Sequence, residues 1–191
     1  MKGGSSLVSG LCKAGQRAVA DVRKRTRLSA NVRTSRSLML LLENKIPPLV
    51  VVALFAVAMW LLSRYVAGVE VSDSARIVSA VAILLLGAFF CLAGVVSFRR
   101  AKTTVNPMKP ESASSLVSSG IYRISRNPMY VGFALSLIAW AVYLACAWAL
   151  FGVLGFVLYM NRFQIAPEER ALRALFGDEF VAYQSRVRRW L

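Results

Sequence analysis

The sequence predicts an all-α integral membrane protein: two N-terminal transmembrane helices, then a helical hairpin, then amphipathic C-terminal helices. Three observations carry this. The chain of 191 residues is 57% hydrophobic and only 17% charged, with a mean hydropathy of +0.56, an excess typical of chains that bury apolar surface in lipid. The apolar residues come in blocks, over 47–62, 77–98 and 129–160, the last two free of any charge for 22 and 32 residues. Charge then alternates between blocks: net +8 over 1–46, zero over 64–76, +5 over 99–127 and +2 over 161–191. Lys and Arg near span ends stay cytoplasmic, so both termini are expected in the cytoplasm and the 64–76 turn outside. The expected location is an integral position in a membrane.

Residues 1–42 form a basic arm, mobile or lying on the membrane surface, with Asp21 its one acid before Glu43. Residues 1–37 hold no apolar block long enough for a signal-peptide core. Their Arg- and Ser-rich, acid-poor composition also suits an organelle transit peptide, but attraction to anionic lipid headgroups explains it with fewer assumptions. A short apolar patch over 38–42 follows. Residues 43–98 hold the two transmembrane helices, the first opened by Pro47 and Pro48, where proline costs no helical hydrogen bond.

Composition also excludes functions. The chain has no histidine, which removes a histidine base and a histidine-based zinc or iron site. Cys12, Cys91 and Cys146 are widely spaced and odd in number, neither a metal pattern nor a disulfide framework. No metal is expected. The positive charges flank apolar spans instead of interleaving with stacking aromatics, so nucleic acid is not an expected partner.

The chain is organised around residues 120–132, Gly-Ile-Tyr-Arg-Ile-Ser-Arg-Asn-Pro-Met-Tyr-Val-Gly. Pro128 removes a backbone donor and pushes Asn127 out of the helical region, so a helix starts here. Its N-terminus offers unpaired N–H groups and a positive dipole end to an anion; Arg123 and Arg126 meeting lipid phosphates at a membrane boundary is the plainer reading. The apolar run after it is too long for one span and short for two of roughly 20 residues. It predicts a tight hairpin turning near residues 143–147, with Gly132, Gly152 and Gly155 admitting close approach; a single kinked or re-entrant segment is the alternative. Pro167, Glu168 and Glu169 then open a helix with acids in its first turn. Gly177 ends that helix, and a second amphipathic one follows from Asp178, with Phe180, Val181, Tyr183, Val187 and Trp190 facing inward or to the interface. Trp190 beside Arg188 and Arg189 has the composition of an interface anchor.

Gly120-Ile121-Tyr122, Arg126 to Gly132, the apolar hairpin, Glu168-Glu169, and Leu175 to Phe180 with Tyr183 together resemble the isoprenylcysteine carboxyl methyltransferase family. Phospholipid N-methyltransferases share its general plan. The resemblance covers about residues 95–191 and marks 99–191 as a methyltransferase-like region. It implies an S-adenosylmethionine pocket between hairpin and tail, open sideways to lipid for a prenylated or other lipophilic substrate. Cofactor binding would fall to Tyr122, Asn127, Pro128, Tyr130, Gly132, Glu168 and Glu169. The tyrosines offer faces to a sulfonium, Arg126 or the Pro128 helix start a grip on a carboxylate, and the glutamates acceptors for hydroxyl or amino groups. The catalytic candidates are Arg126 and Arg162, bracketing the hairpin. Two departures from the family stand out. Eukaryotic members carry histidine where this chain has Asn127, and the family's basic residue before its glutamate pair falls on Arg162 or on Gln164.

The chemistry suits a chain without histidine, because a carboxylate acceptor is already ionised and needs only desolvation, orientation and proximity. S-Adenosylmethionine-dependent transfer to an isoprenylcysteine-like carboxylate is therefore expected. A phospholipid or amine acceptor is the alternative, with Glu168 or Glu169 as proton acceptor. Two further readings compete. A sterol-reductase-like oxidoreductase carries a similar arginine–proline–tyrosine stretch but is a longer protein, and a non-catalytic membrane adaptor would bind lipid through its basic arm alone.

Overall fold

The computed structural model describes residues 46–101 and 116–191. The basic arm, the 38–42 patch and Cys12 lie outside the described residues. Within them the structure is all helical: α1 Pro48–Ser63, α2 Asp73–Arg100, α3 Pro128–Tyr143, α4 Leu150–Met160 and α5 Ala166–Arg186, with short 3-10 turns at Gly120–Arg123 and Ala147–Ala149 and a π-helical turn at Asn161–Ile165.

Each start has a local cause. Pro48 occupies the first turn of α1, and Ser72 caps α2 by accepting from the Ala75 N–H at 3.4 Å, with Asp73 at the positive dipole end. At 28 residues α2 is about 42 Å long, more than a bilayer core. Leu85 and Leu92 on it stay 65% exposed, and α1 likewise leaves Leu49 and Leu54 bare. Water penalises such faces and lipid does not, so these helices belong in a membrane. Pro128 opens α3 as expected, with Asn127 at φ −131°.

The hairpin turns where the sequence places it, after Tyr143, with Ala145 at φ 48°. There the Ala145 carbonyl accepts from the Val69 N–H at 2.7 Å, joining the hairpin tip to the α1–α2 turn. The start of α3, the end of α2 and the end of α4 therefore share the opposite end of the bundle. α2 and α3 approach almost backbone to backbone: a Cβ added at Gly132 would lie 2.6 Å from the Gly87 carbonyl oxygen, the small-residue contact by which membrane helices pack without a hydrophobic drive. α1 closes on α3 and α4 through Trp140 Nε1, which donates to the Ala56 carbonyl at 3.0 Å, and an edge-on Phe55–Phe156 pair at 6.0 Å. Leu137, Phe156, Met160 and Ile165 are almost fully buried between them.

After the hairpin the structure departs from the sequence expectation. The helix does not restart at Pro167; it runs on from α4 through the π-helical turn. A wider turn absorbs the donor that Pro167 lacks without breaking the rod. At Gly177, with φ 51° and ψ −124°, the backbone leaves the helical region, so α5 is two helical segments meeting at a kink where the sequence places the break. The second amphipathic segment stops at Arg186, and Val187 is extended. Phe180 and Tyr183 are buried as expected, whereas Val181 is exposed.

Candidate active site

The site lies at the end of the bundle where α3 begins, and four separated stretches meet there. The first is the 3-10 turn. Gly120 adopts φ 62°, where a Cβ would approach Ser97 Oγ to 2.9 Å, and this turns Tyr122 inward to meet Phe98 edge-on at 5.3 Å. The Tyr122 carbonyl accepts from Tyr183 Oη at 2.7 Å, fastening α5 to the turn. Burial holds both phenols protonated, Tyr183 pushed up to about 12 and Tyr122 further, the latter also by Tyr183 and Glu168 nearby.

The second stretch is Ser125 to Tyr130. Ser125 is fully buried, its Oγ accepting from the Asn127 N–H at 3.1 Å and donating to the Arg189 carbonyl at 3.4 Å. Asn127 does not cap α3 with its side chain; its Nδ2 donates to the same carbonyl at 2.9 Å. One turn on, Tyr130 Oη donates to Glu168 Oε1 at 2.8 Å. Arg126 Nη2 pairs with Glu169 Oε1 at 3.1 Å, and Arg126 Nη1 meets the Gln184 carbonyl at 3.5 Å. Arg126 Nε is buried and makes no hydrogen bond.

The π-helical turn and the start of α5 supply the third stretch. The widened turn brings Gln164 inside, 2% exposed, a placement typical of π-turns at functional sites. Arg162 is exposed, its guanidinium 5.5 Å from the Phe163 ring. Arg126 and Gln164 thus occupy the interior while Arg162 belongs to the surface. Glu168 and Glu169 take different partners although adjacent. Glu169 is shared by Arg126 and Arg189, whose Nε donates to Oε1 at 3.1 Å and whose Nη2 pairs with Oε2. Glu168, eight residues beyond the apolar run, meets the neutral Tyr130 phenol. Its carboxyl is more enclosed than the half-buried residue as a whole, and that desolvation pushes it up to about 8; the Tyr130 bond opposes the shift and the Glu169 charge adds to it.

The fourth stretch, residues 187–191, is expected from sequence to face inward or to the interface, with no role in the site. Arg188 and Arg189 lend their carbonyls to Arg126 and Asn127, and Trp190 Nε1 donates to Asn161 Oδ1 at 3.0 Å. Trp190 is therefore half-buried against the site. Of the residues singled out from sequence, Tyr122, Arg126, Asn127, Tyr130, Glu168 and Glu169 come together. Pro128 is buried at the head of α3, and Gly132 faces α2 as a packing residue. Sequence reasoning placed Tyr183 inward and Arg189 beside an interface anchor without a site role, and it gave none to Ser125 or Asn161. The signal available was their polarity beside an apolar run. No grouping of three or more Cys, Asp or Glu that could hold a metal occurs among the described residues.

A helical membrane bundle with tyrosine phenols, an enclosed carboxyl and a partly buried arginine gathered at one end defines a membrane-embedded enzyme of group-transfer type. The chain belongs to the phospholipid methyltransferase family, whose model matches residues 75–179. It is similar to protein-S-isoprenylcysteine O-methyltransferase B of Arabidopsis thaliana, 28% identical over 107 residues, which is 54% of this chain and 53% of that protein. A probable protein-S-isoprenylcysteine O-methyltransferase of Oryza sativa subsp. indica is 30% identical over 107 residues, 54% of each chain. An uncharacterized protein of Haemophilus influenzae is 48% identical over 63 residues, 33% of this chain and all of that one. The chain thus matches about half the length of its plant relatives, and no solved structure matches it significantly.

Proposed function

We propose that the protein transfers the methyl group of S-adenosylmethionine to a lipophilic carboxylate, isoprenylcysteine-like, at the cytoplasmic face of a bacterial inner membrane, with both termini cytoplasmic. The observation that carries it is the pair of contacts joining the motif to the tail, Tyr130 to Glu168 at 2.8 Å and Arg126 to Glu169 at 3.1 Å. The residues fit such a donor: Arg126 Nε is a buried donor left for a carboxylate, Glu168 an enclosed acceptor, and Tyr122 and Tyr130 are aromatic faces beside it. When bound, that group supplies a methyl carbon activated by a sulfonium. An acceptor's carboxylate oxygen would bond to that carbon while the carbon–sulfur bond gave way, its electron pair remaining on sulfur. No proton moves in this step, so no base is required. Arg126, held by Glu169 and Gln184, then serves to orient a carboxylate in a site of low dielectric.

One observation favours a second reading, transfer to a phospholipid amine. Glu168, near 8, is matched to take a proton from an ammonium group around neutral pH.

Titrating the detergent-purified chain with S-adenosylhomocysteine tests the donor, and labelled methyl transfer to a farnesylcysteine analogue against phosphatidylethanolamine vesicles tests the acceptor. Binding with transfer to the carboxylate is expected; label in the phospholipid alone selects the second reading. Absence of binding sinks both and leaves a membrane adaptor. Arg126→Ala is expected to lower transfer by about 100-fold or more with the helical circular dichroism kept; wild-type turnover in that variant would remove Arg126 from the site.

A further inference from the structure

Residues 187–191 belong to no helix, yet they touch the site at Ser125 to Asn127, at Glu169 and at Asn161. The Arg188 carbonyl accepts from the Arg126 N–H at 3.0 Å. The Arg189 carbonyl accepts from Asn127 Nδ2 at 2.9 Å and from Ser125 Oγ at 3.4 Å, while its guanidinium grips both oxygens of Glu169. Trp190 Nε1 reaches the end of α4 at Asn161 Oδ1, 3.0 Å away. Three consecutive residues therefore bind three segments that the chain itself links only through the hairpin and the π-helical turn. Ser125 is fully buried, so without the strap its hydroxyl and the Asn127 amide would lose partners in a site that water replaces poorly.

We propose that Arg189 and Trp190 are positioning residues: they set the spacing between the Arg126–Asn127 motif and Glu169, and through it the affinity for the methyl donor. This rests on the donor reading above. Arg189 acts through Glu169, which it holds in the orientation that pairs with Arg126. Trp190 fixes the strap to α4, so that the two arms of the site keep one separation.

The full chain in detergent decides this with two measurements. Hydrogen exchange at the Arg126 and Asn127 amides is expected to quicken in Arg189→Ala and in the milder Trp190→Phe, with the amides of α2 unchanged. S-Adenosylhomocysteine affinity is expected to fall by about tenfold or more in Arg189→Ala and to recover in part in Arg189→Lys, which keeps the charge but not the fork. Combined with Glu169→Gln, the Arg189→Ala loss should not add, since both break one contact. Unchanged exchange in both variants overturns the proposal, and so does quickened exchange with wild-type affinity. Wild-type protein that fails to bind S-adenosylhomocysteine overturns the donor reading instead, and exchange alone then decides the strap.

Discussion

Glu168→Gln is expected to cut affinity for S-adenosylmethionine by about 10- to 100-fold, the worth of a charge-assisted contact, while the ligand-free protein gains stability at alkaline pH. Both halves follow from the environment of this carboxyl. Burial raises it to about 8 from an ordinary value of 4.5, so near neutral pH it is mostly protonated in the ligand-free protein. The sign is then fixed by linkage. Below pH 4.5 the folded and unfolded states are both protonated and nothing is lost. Between 4.5 and about 8 the unfolded carboxyl ionises and the folded one does not, so the stability contribution of Glu168 falls as pH rises and is gone above the folded value. Glutamine keeps an oxygen for Tyr130 and cannot ionise, so the variant should lose this slope. Thermal unfolding in detergent from pH 4 to 9 measures it, and parallel curves for the two proteins would refute the enclosed carboxyl. A cationic donor reverses the preference and ionises Glu168, so binding near pH 7 should release a proton to the buffer. S-Adenosylhomocysteine lacks the sulfonium charge and should release less. Calorimetry in buffers of different ionisation enthalpy separates the two ligands.

Gly132→Val carries the other large effect. The first added carbon would lie 2.6 Å from the Gly87 carbonyl oxygen, and two backbones cannot give way as a side chain does. α2 and α3 must separate, at a cost of about 1–3 kcal/mol or more, and α3 is the helix that presents Tyr130. The expected result is a lower unfolding midpoint in detergent together with weaker donor binding. Gly177→Ala, where no atom lies within 4 Å of the added carbon, controls for chain stiffness: it strains a positive φ but leaves the α2–α3 contact intact. A Gly132→Val protein with wild-type midpoint would show that α2 and α3 do not touch through these glycines.

Much of this was legible in residue order. Proline at 48 and at 128 announces two helix starts, and the charge-free run ending at Met160 announces a hairpin, because those effects act within a turn or two of chain. The core of the site was legible too, in Tyr122, Arg126, Tyr130 and the glutamate pair. Which glutamate meets which partner was not. Glu168 and Glu169 are identical in composition and adjacent, and only the phase of the helix after the π-helical turn points one at a phenol and the other at two guanidiniums. The same turn decides that Gln164 faces in and Arg162 out.

The sequence by itself determined an all-helical membrane protein of this family and its helix starts at Pro48 and Pro128, since hydropathy, proline and glycine act through local chain chemistry and solvent transfer. Tertiary structure alone decided that residues 188–190 pack onto the site. A peptide carbonyl such as that of Arg189 carries no mark in the sequence, and it becomes a specific partner for Ser125 and Asn127 only when folding brings residues more than sixty positions apart into hydrogen-bond range.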